Sequence, residues 1–291
     1  TFFQIQLVSR VTKSLLVGRP TVYLIVDIFD GVIVGYAVTL ENPSWAVAAL
    51  ALYNCFSDKS ATFSRLGLPF TSKDWPCRHL PTVLRADRAE LVSNMGQDFP
   101  TSGIRVEVTP SMTPISKGTV EGKHSEMKKE RPGRFDLPGR FKKARARRQS
   151  DGKKSAALDI LEFERILVEI IMDINAEPID SRRIPPDALK HGSKVASRIG
   201  FHEWALENRA GFTRTMGDNF VFEYLMTAGM GKVTPRGIRA QNEIFNCDRL
   251  REIGYLLAAA GTEFEIEIAF TPHYAGEVFF FDKKSDTWVS A

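Results

Sequence analysis

Cysteine is scarce in this chain. Three stand in 291 residues, Cys55, Cys77 and Cys247, far apart and with no C-x-x-C pair. That excludes a disulfide framework and the spaced Cys/His sets of structural zinc domains, and it suits a reducing bacterial cytoplasm. The five histidines (79, 124, 191, 202 and 273) are scattered and suggest no metal box by spacing. Long apolar runs are also missing. The longest, such as Trp45 to Leu52, fall far short of the roughly 18 residues a membrane helix needs, so no membrane partner is expected. The chain opens on Thr1-Phe2-Phe3 without a Met, a basic n-region or a signal-peptide pattern, which reads as a partial or trimmed chain.

A charge block is present. Between Lys123 and Lys154 stand thirteen Lys or Arg against four Asp or Glu, while the whole chain carries a net charge of only +4. A basic segment on a mildly acidic body fits a polyanion contact. A solvated, Pro- and Gly-broken surface loop gives the same pattern.

Hydrophobic patterning divides the rest. Phe3 to Val11, Thr21 to Phe29 and Val32 to Leu40 are rich in β-branched and aromatic residues, and Asp30-Gly31 reads as a two-residue turn. The expectation is a three-stranded antiparallel meander. Asn42 reads as an N-cap with Pro43 at the first helical position, followed by Trp45, Ala49, Leu52 and Phe56 at helical spacing. Thr82 to Ala86 and Ile104 to Val108 read as strands, and a helix is expected from about Gly118. Leu158, Leu161, Phe163, Ile166, Leu167, Ile170 and Ile174 predict a long amphipathic helix stopped at Pro178. The expected organisation is a domain over 1–178, a polar linker over 179–218 and a small β-barrel over 219–291. The barrel strands are read at 220–225, 232–238, 243–245, 264–270 and 277–281.

Two acids stand out by position. Asp87 ends a short buried strand, and Glu121 falls 34 positions later near a helix start. Taken alone, an Asp after a strand is usually a turn residue and a Glu in a first helical turn usually complements the dipole. Taken together, carboxylates at strand ends and helix starts converge outside a sheet edge, where hard divalent ions bind and can serve phosphoryl transfer.

These stretches resemble the retroviral-integrase superfamily of RNase H-like DDE transposases, and within it the bacteriophage Mu transposase and TnsB type. The likeness is carried by Thr21-Val-Tyr-Leu-Ile-Val-Asp-Ile-Phe29, Asn42-Pro-Ser-Trp45 and Leu80-Pro-Thr-Val-Leu-Arg-Ala-Asp-Arg88. Thr109-Pro110 and Lys117-Gly-Thr-Val-Glu-Gly122 extend it. Val233-Thr-Pro-Arg-Gly-Ile238 and Phe270-Thr-Pro272 resemble the small barrel that follows the catalytic domain in Mu-type enzymes.

The resemblance implies an α/β fold, with an RNase H-like mixed sheet flanked by helices and a C-terminal β-barrel. It implies 3′-end nicking and strand transfer in DNA transposition with two Mg2+ (or Mn2+) ions. Asp87 and Glu121 would be the second and third carboxylates and metal ligands. Partners implied are transposon-end and target DNA, further copies of the chain on that DNA, and an ATPase protein.

Lys128, on the same expected helix face as Glu121 and Ser125, and Lys142, Lys143, Arg145, Arg147 and Arg148 are the candidate phosphate contacts. The first strand looks shortened, and its expected acid is absent, because Gln6 stands in Phe3-Gln-Ile-Gln-Leu-Val where the family carries Asp. Asp27, on the next strand, is a weak substitute with polar pairing as its expected role. The alternative reading is a catalytically impaired DNA-binding or assembly remnant. An RNase H-like nuclease is a third, opposed by the C-terminal module.

Overall fold

A computed structural model describes residues 4–87, 102–109, 122, 137–140, 152–210, 213–217, 219–271 and 274–291. The fold is mixed α/β, and the strands of its first part pair off in twos. β1 (Leu7–Val8) pairs antiparallel with β2 (Leu16–Gly18), and β3 (Thr21–Val26) with β4 (Ile33–Thr39). β5 (His79–Leu80) precedes β6 (Val83–Asp87), which runs parallel to β7 (Arg105–Thr109). The expected meander is therefore corrected: β1 is two residues long and turns to β2 instead of joining β3. Its backbone is occupied elsewhere, since Gln6 N–H donates to Gly139 O at 2.8 Å and Val8 N–H to Leu158 O at 3.0 Å. Among the described residues no ladder joins these pairs into one sheet.

The turn between β3 and β4 is longer than the two residues expected at Asp30-Gly31. Asp27 N–H closes on Val32 O at 2.9 Å, and Gly31 alone takes a left-handed conformation (φ +77°). Helix α1 (Trp45–Phe56) begins two residues later than the Asn42 cap predicts, because the Ser44 hydroxyl accepts from Val47 N–H. It lies so close to β4 that a Cβ on Gly35 would sit 2.6 Å from the Cβ of Cys55. Trp45, Leu52 and Phe56 enter a core shared with Val22, Leu24, Ile33 and Tyr36.

Lys59, just before α2 (Ser60–Leu66), is fully buried. Its ammonium donates to the carbonyls of Asn54, Cys55 and Ser57 at the end of α1, and to Cys77 O at 2.7 Å. Burial lowers its pKa. A charged side chain thus closes the otherwise unpaired helix end and staples it to the 70s loop.

The long amphipathic helix appears as α3 (Ile160–Ala176). Asp159 and Glu162 form a reciprocal capping box, and Lys13 bridges both acids at 2.8 and 2.6 Å. On its inner face Glu164 accepts from Tyr36 Oη at 2.8 Å and from Arg65 at 2.9 and 2.5 Å, so a buried acid is held by two partners.

The stretch read as a linker holds α4 (Pro186–Leu189) and α5 (Arg198–Asn208). These enclose a small apolar cluster of Ile179, Ile184, Ala188, Val195, Phe201 and Trp204. β8 (Arg214–Thr215) then returns to pair with β5.

Phe220 to Leu225, expected as a barrel strand, is a single wide helical turn over Val221–Leu225 instead. Phe220/Tyr224 and Val221/Leu225 are spaced i, i+4, and Phe220 meets Phe56 edge-on at 6.0 Å. This segment thereby belongs to the first core. The remainder of the chain builds an antiparallel sheet of six strands, curled into a half-barrel. In chain order they are β9 (Thr227–Thr234), β10 (Gly237–Ala240), β11 (Glu243–Phe245), β12 (Phe264–Thr271), β13 (Tyr274–Asp282) and β14 (Thr287–Ser290). Their order across the sheet is β11-β10-β9-β12-β13-β14, and no ladder joins β11 to β14 among the described residues. Val233, Ile238, Leu250, Ile268, Val278 and Phe280 form its core, with α6 (Asp248–Glu252) and α7 (Tyr255–Gly261) inserted before β12.

Asp282 anchors this unit. Burial alone would raise its carboxyl, but Lys284 N–H, Arg249 and the Ser285 hydroxyl outweigh that and hold it at about 2. An acid depressed below its unfolded value near 3.9 contributes stability that is present above about pH 4 and lost as pH falls toward 2. Asp282→Asn should therefore lower the thermal midpoint at neutral pH and flatten its fall between pH 4 and 2. Differential scanning calorimetry across that range checks it, and parallel acid limbs for the two proteins would contradict it.

Candidate functional site

Asp87 is the last residue of β6, and its register partner Thr109 is the last of β7. The backbone therefore delivers Asp87 to the C-terminal edge of a parallel pair, the position from which a strand presents a functional side chain beyond the sheet. Gly122 is helical and exposed. The Asp87 side chain lies outside the described residues, as do Glu121, Lys128, Lys142, Lys143, Arg145, Arg147 and Arg148.

The basic block has described roots. Ile5 and Arg140 form an antiparallel bridge, and a Cβ on Gly152 would sit 2.6 Å from Gly139 O. The described residues on the two sides of the Lys142 to Arg148 stretch thus lie close together, and Gln6 is beside them. Gln6 is buried, and its carboxamide donates to Leu7 O at 3.4 Å. It offers no charged oxygen where the first carboxylate is expected.

Asp27 is not on a strand. It follows β3, at the start of the turn, and its Oδ1 accepts from Phe29 N–H at 2.7 Å. It faces two groups that sequence spacing did not bring together, Asp30 and His202. Asp30 Oδ1 accepts from Val32 N–H at 2.8 Å, and its Oδ2 lies 2.6 Å from His202 Nδ1 on α5, with both side chains buried. Burial alone would lower the pKa of His202, but Cys77 and Asp30 together raise it well above the ordinary value. Burial, then the charge of Asp30, raises Asp27.

Two further contacts lock the same turn. Phe29 stacks on Phe201 at 5.2 Å, and the Asn175 carboxamide exchanges hydrogen bonds with Ile33 N–H and C=O at 2.9 and 3.0 Å. Helices α3 and α5 thereby grip one β-turn. Asp30 and His202 are 172 positions apart, so no local signal could pair them. Asp30→Asn keeps the volume but removes one partner of a buried ion pair. It should cost about 3 kcal/mol of unfolding free energy, measured by urea denaturation. A change below about 0.5 kcal/mol, the size usual for surface substitutions, would deny the pair any structural role.

Residues 1–134 match the family described as TnsB C-terminal domain. The chain is also 30% identical over 221 residues to the transposon Tn7 transposition protein TnsB of Escherichia coli, covering 74% of this chain and 31% of that relative. The chain thus spans about a third of the length of the curated relative it matches. Among the described residues no helix is long and apolar enough to cross a membrane. By the match over its first 134 residues and the Tn7 likeness, the chain is similar to TnsB.

Proposed function

We propose that this chain supplies the metal-dependent strand-transfer core of a DNA transposase. The observation that carries the reading is the TnsB likeness over residues that include Asp87, set at the end of the parallel pair β6–β7. In this reading the fold is RNase H-like, and Asp87 and Glu121 are the acids that would hold a divalent ion, Mg2+ or Mn2+, beside the reacting phosphate. The ion, when bound, would supply charge neutralisation to the attacking and leaving oxygens. Gln6 does not fit as a third charged ligand, since its amide is neutral and turned to its own backbone.

The protein's own cations serve binding. Lys128, Lys142, Lys143, Arg145, Arg147 and Arg148 contact backbone phosphates of transposon-end and target DNA. These contacts give affinity without base readout. The adjoining roots of the basic segment at Arg140 and Gly152 support this reading, because they fix where that charge enters and leaves the fold. Assembly of several copies on DNA and contact with an ATPase partner belong to the same proposal.

The test joins a duplex oligonucleotide with a free 3′-hydroxyl to a supercoiled plasmid in Mg2+. Joined product is expected from the unaltered chain, and Asp87→Asn or Glu121→Gln should cut it by at least about a hundredfold. Product surviving both changes would sink the catalytic assignment, and so would absence of product from the unaltered chain. In parallel, changing Lys142, Lys143, Arg145, Arg147 and Arg148 together to Gln should reduce the salt slope of DNA binding by up to about 4. An unchanged slope would remove the phosphate-contact role.

A further inference from the structure

The turn between β3 and β4 gathers a second set of polar groups. There Asp27, Asp30 and His202 each offer one ligand atom, and the three atoms lie within 4.8 Å of one another. We propose that these residues form a binding site for a first-row transition-metal cation, with zinc the best match. The site is separate from the carboxylates at 87 and 121 and goes beyond the strand-transfer reading.

The donor set favours such an ion. One imidazole nitrogen with two carboxylate oxygens is a set that zinc accepts, leaving a fourth position for water. Magnesium prefers oxygen donors in octahedral geometry and keeps its waters, so it is a poor match for a ring nitrogen. The two classes of site are thus separable by the ion used.

The ligands are also pre-organised. Each carboxylate is aimed by a backbone N–H on its Oδ1, from Phe29 for Asp27 and from Val32 for Asp30. Asp30 Oδ2 is thereby turned toward His202 Nδ1. The His202 ring is held against Asp30, and stacking of the neighbouring Phe201 on Phe29 ties its helix to the turn.

Charge and access point the same way. An ordinary buried Asp–His pair needs one carboxylate, and here a second faces the same imidazole. One imidazolium balances one acid, whereas a divalent cation balances two. Asp30 and His202 are buried (1% and 5% exposed), but Asp27 is only partly so, which leaves one side of the cluster open to an entering ion. The Nδ1 to Oδ2 distance of 2.6 Å must open by under about 1 Å to admit zinc at its bond lengths of roughly 2.0–2.2 Å.

The test uses the full chain, freed of metal by a chelator. It carries Asp87→Asn, Glu121→Gln and Cys247→Ser, so that failure of the strand-transfer reading cannot affect the outcome. Titration with Co2+ should give one equivalent with visible absorption typical of a four-coordinate ion. Zn2+ should displace it and raise the thermal midpoint, and Mg2+ should do neither. Asp27→Asn changes a partly exposed turn residue and leaves the Asp30–His202 pair intact, so that variant should fold. Its Co2+ affinity should fall at least tenfold. His202→Asn should abolish the signal. No stoichiometric Co2+ binding, or binding equally tight in Asp27→Asn, would overturn the proposal.

Discussion

The first part of this protein is organised around one buried ion pair. Asp30 and His202 join a β-turn near the start of the chain to a helix most of the way along it. Four short two-stranded ladders have little ability to stand alone, since an isolated two-stranded pair is marginal in water. The pair β3–β4 escapes that limit because α1 packs on one face and two helices seize its turn. Asn175 of α3 supplies the edge of β4 with the donor and acceptor that a neighbouring strand would otherwise provide. The ring stack of Phe29 and Phe201 adds an apolar contact between the same turn and helix. A charge pair in so dry a setting is demanding, because either group left alone would be a buried uncompensated charge. It is also specific, since only one arrangement of hairpin and helix satisfies it.

Much of this architecture was legible in the sequence, and the parts that were not share a cause. The strands at 83–87, 105–109, 243–245 and 264–271 follow from β-branched runs and alternation. The helix over 160–176 follows from its apolar stripe and its Pro178 stop. These are local signals. The helix cap moved from Asn42 to Ser44 because both can accept a hydrogen bond and only the packing of Trp45 decides between them. Phe220 to Leu225 misread as a strand because a short apolar run gives no clear period, and its fate was set by Phe56, more than 160 positions away. β1 shortened because its backbone partners are Gly139 and Leu158, which no nearby residue announces.

The candidate chemistry divides the same way. Asp87 and Glu121 are visible because an acid at a strand end and another near a helix start form a pattern along the chain. The cluster of Asp27, Asp30 and His202 is invisible there, since scattered histidines carry no spacing. Lys59 is a further case. A lysine in a polar stretch reads as a surface residue, yet here it is enclosed by four carbonyls and the ring of Trp75. Its burial is dictated by the unpaired end of α1, not by its own hydropathy.

The meeting of Gly139 and Gly152 bears on how this protein can change. Where two points of a chain already touch, the stretch between them is a closed detour, and the entropy of closing it grows only with the logarithm of its length. A change in the number of residues between these two glycines therefore adds little to the closure cost that the fold must bear. Length can thus vary at this point of the chain more freely than inside the paired strands.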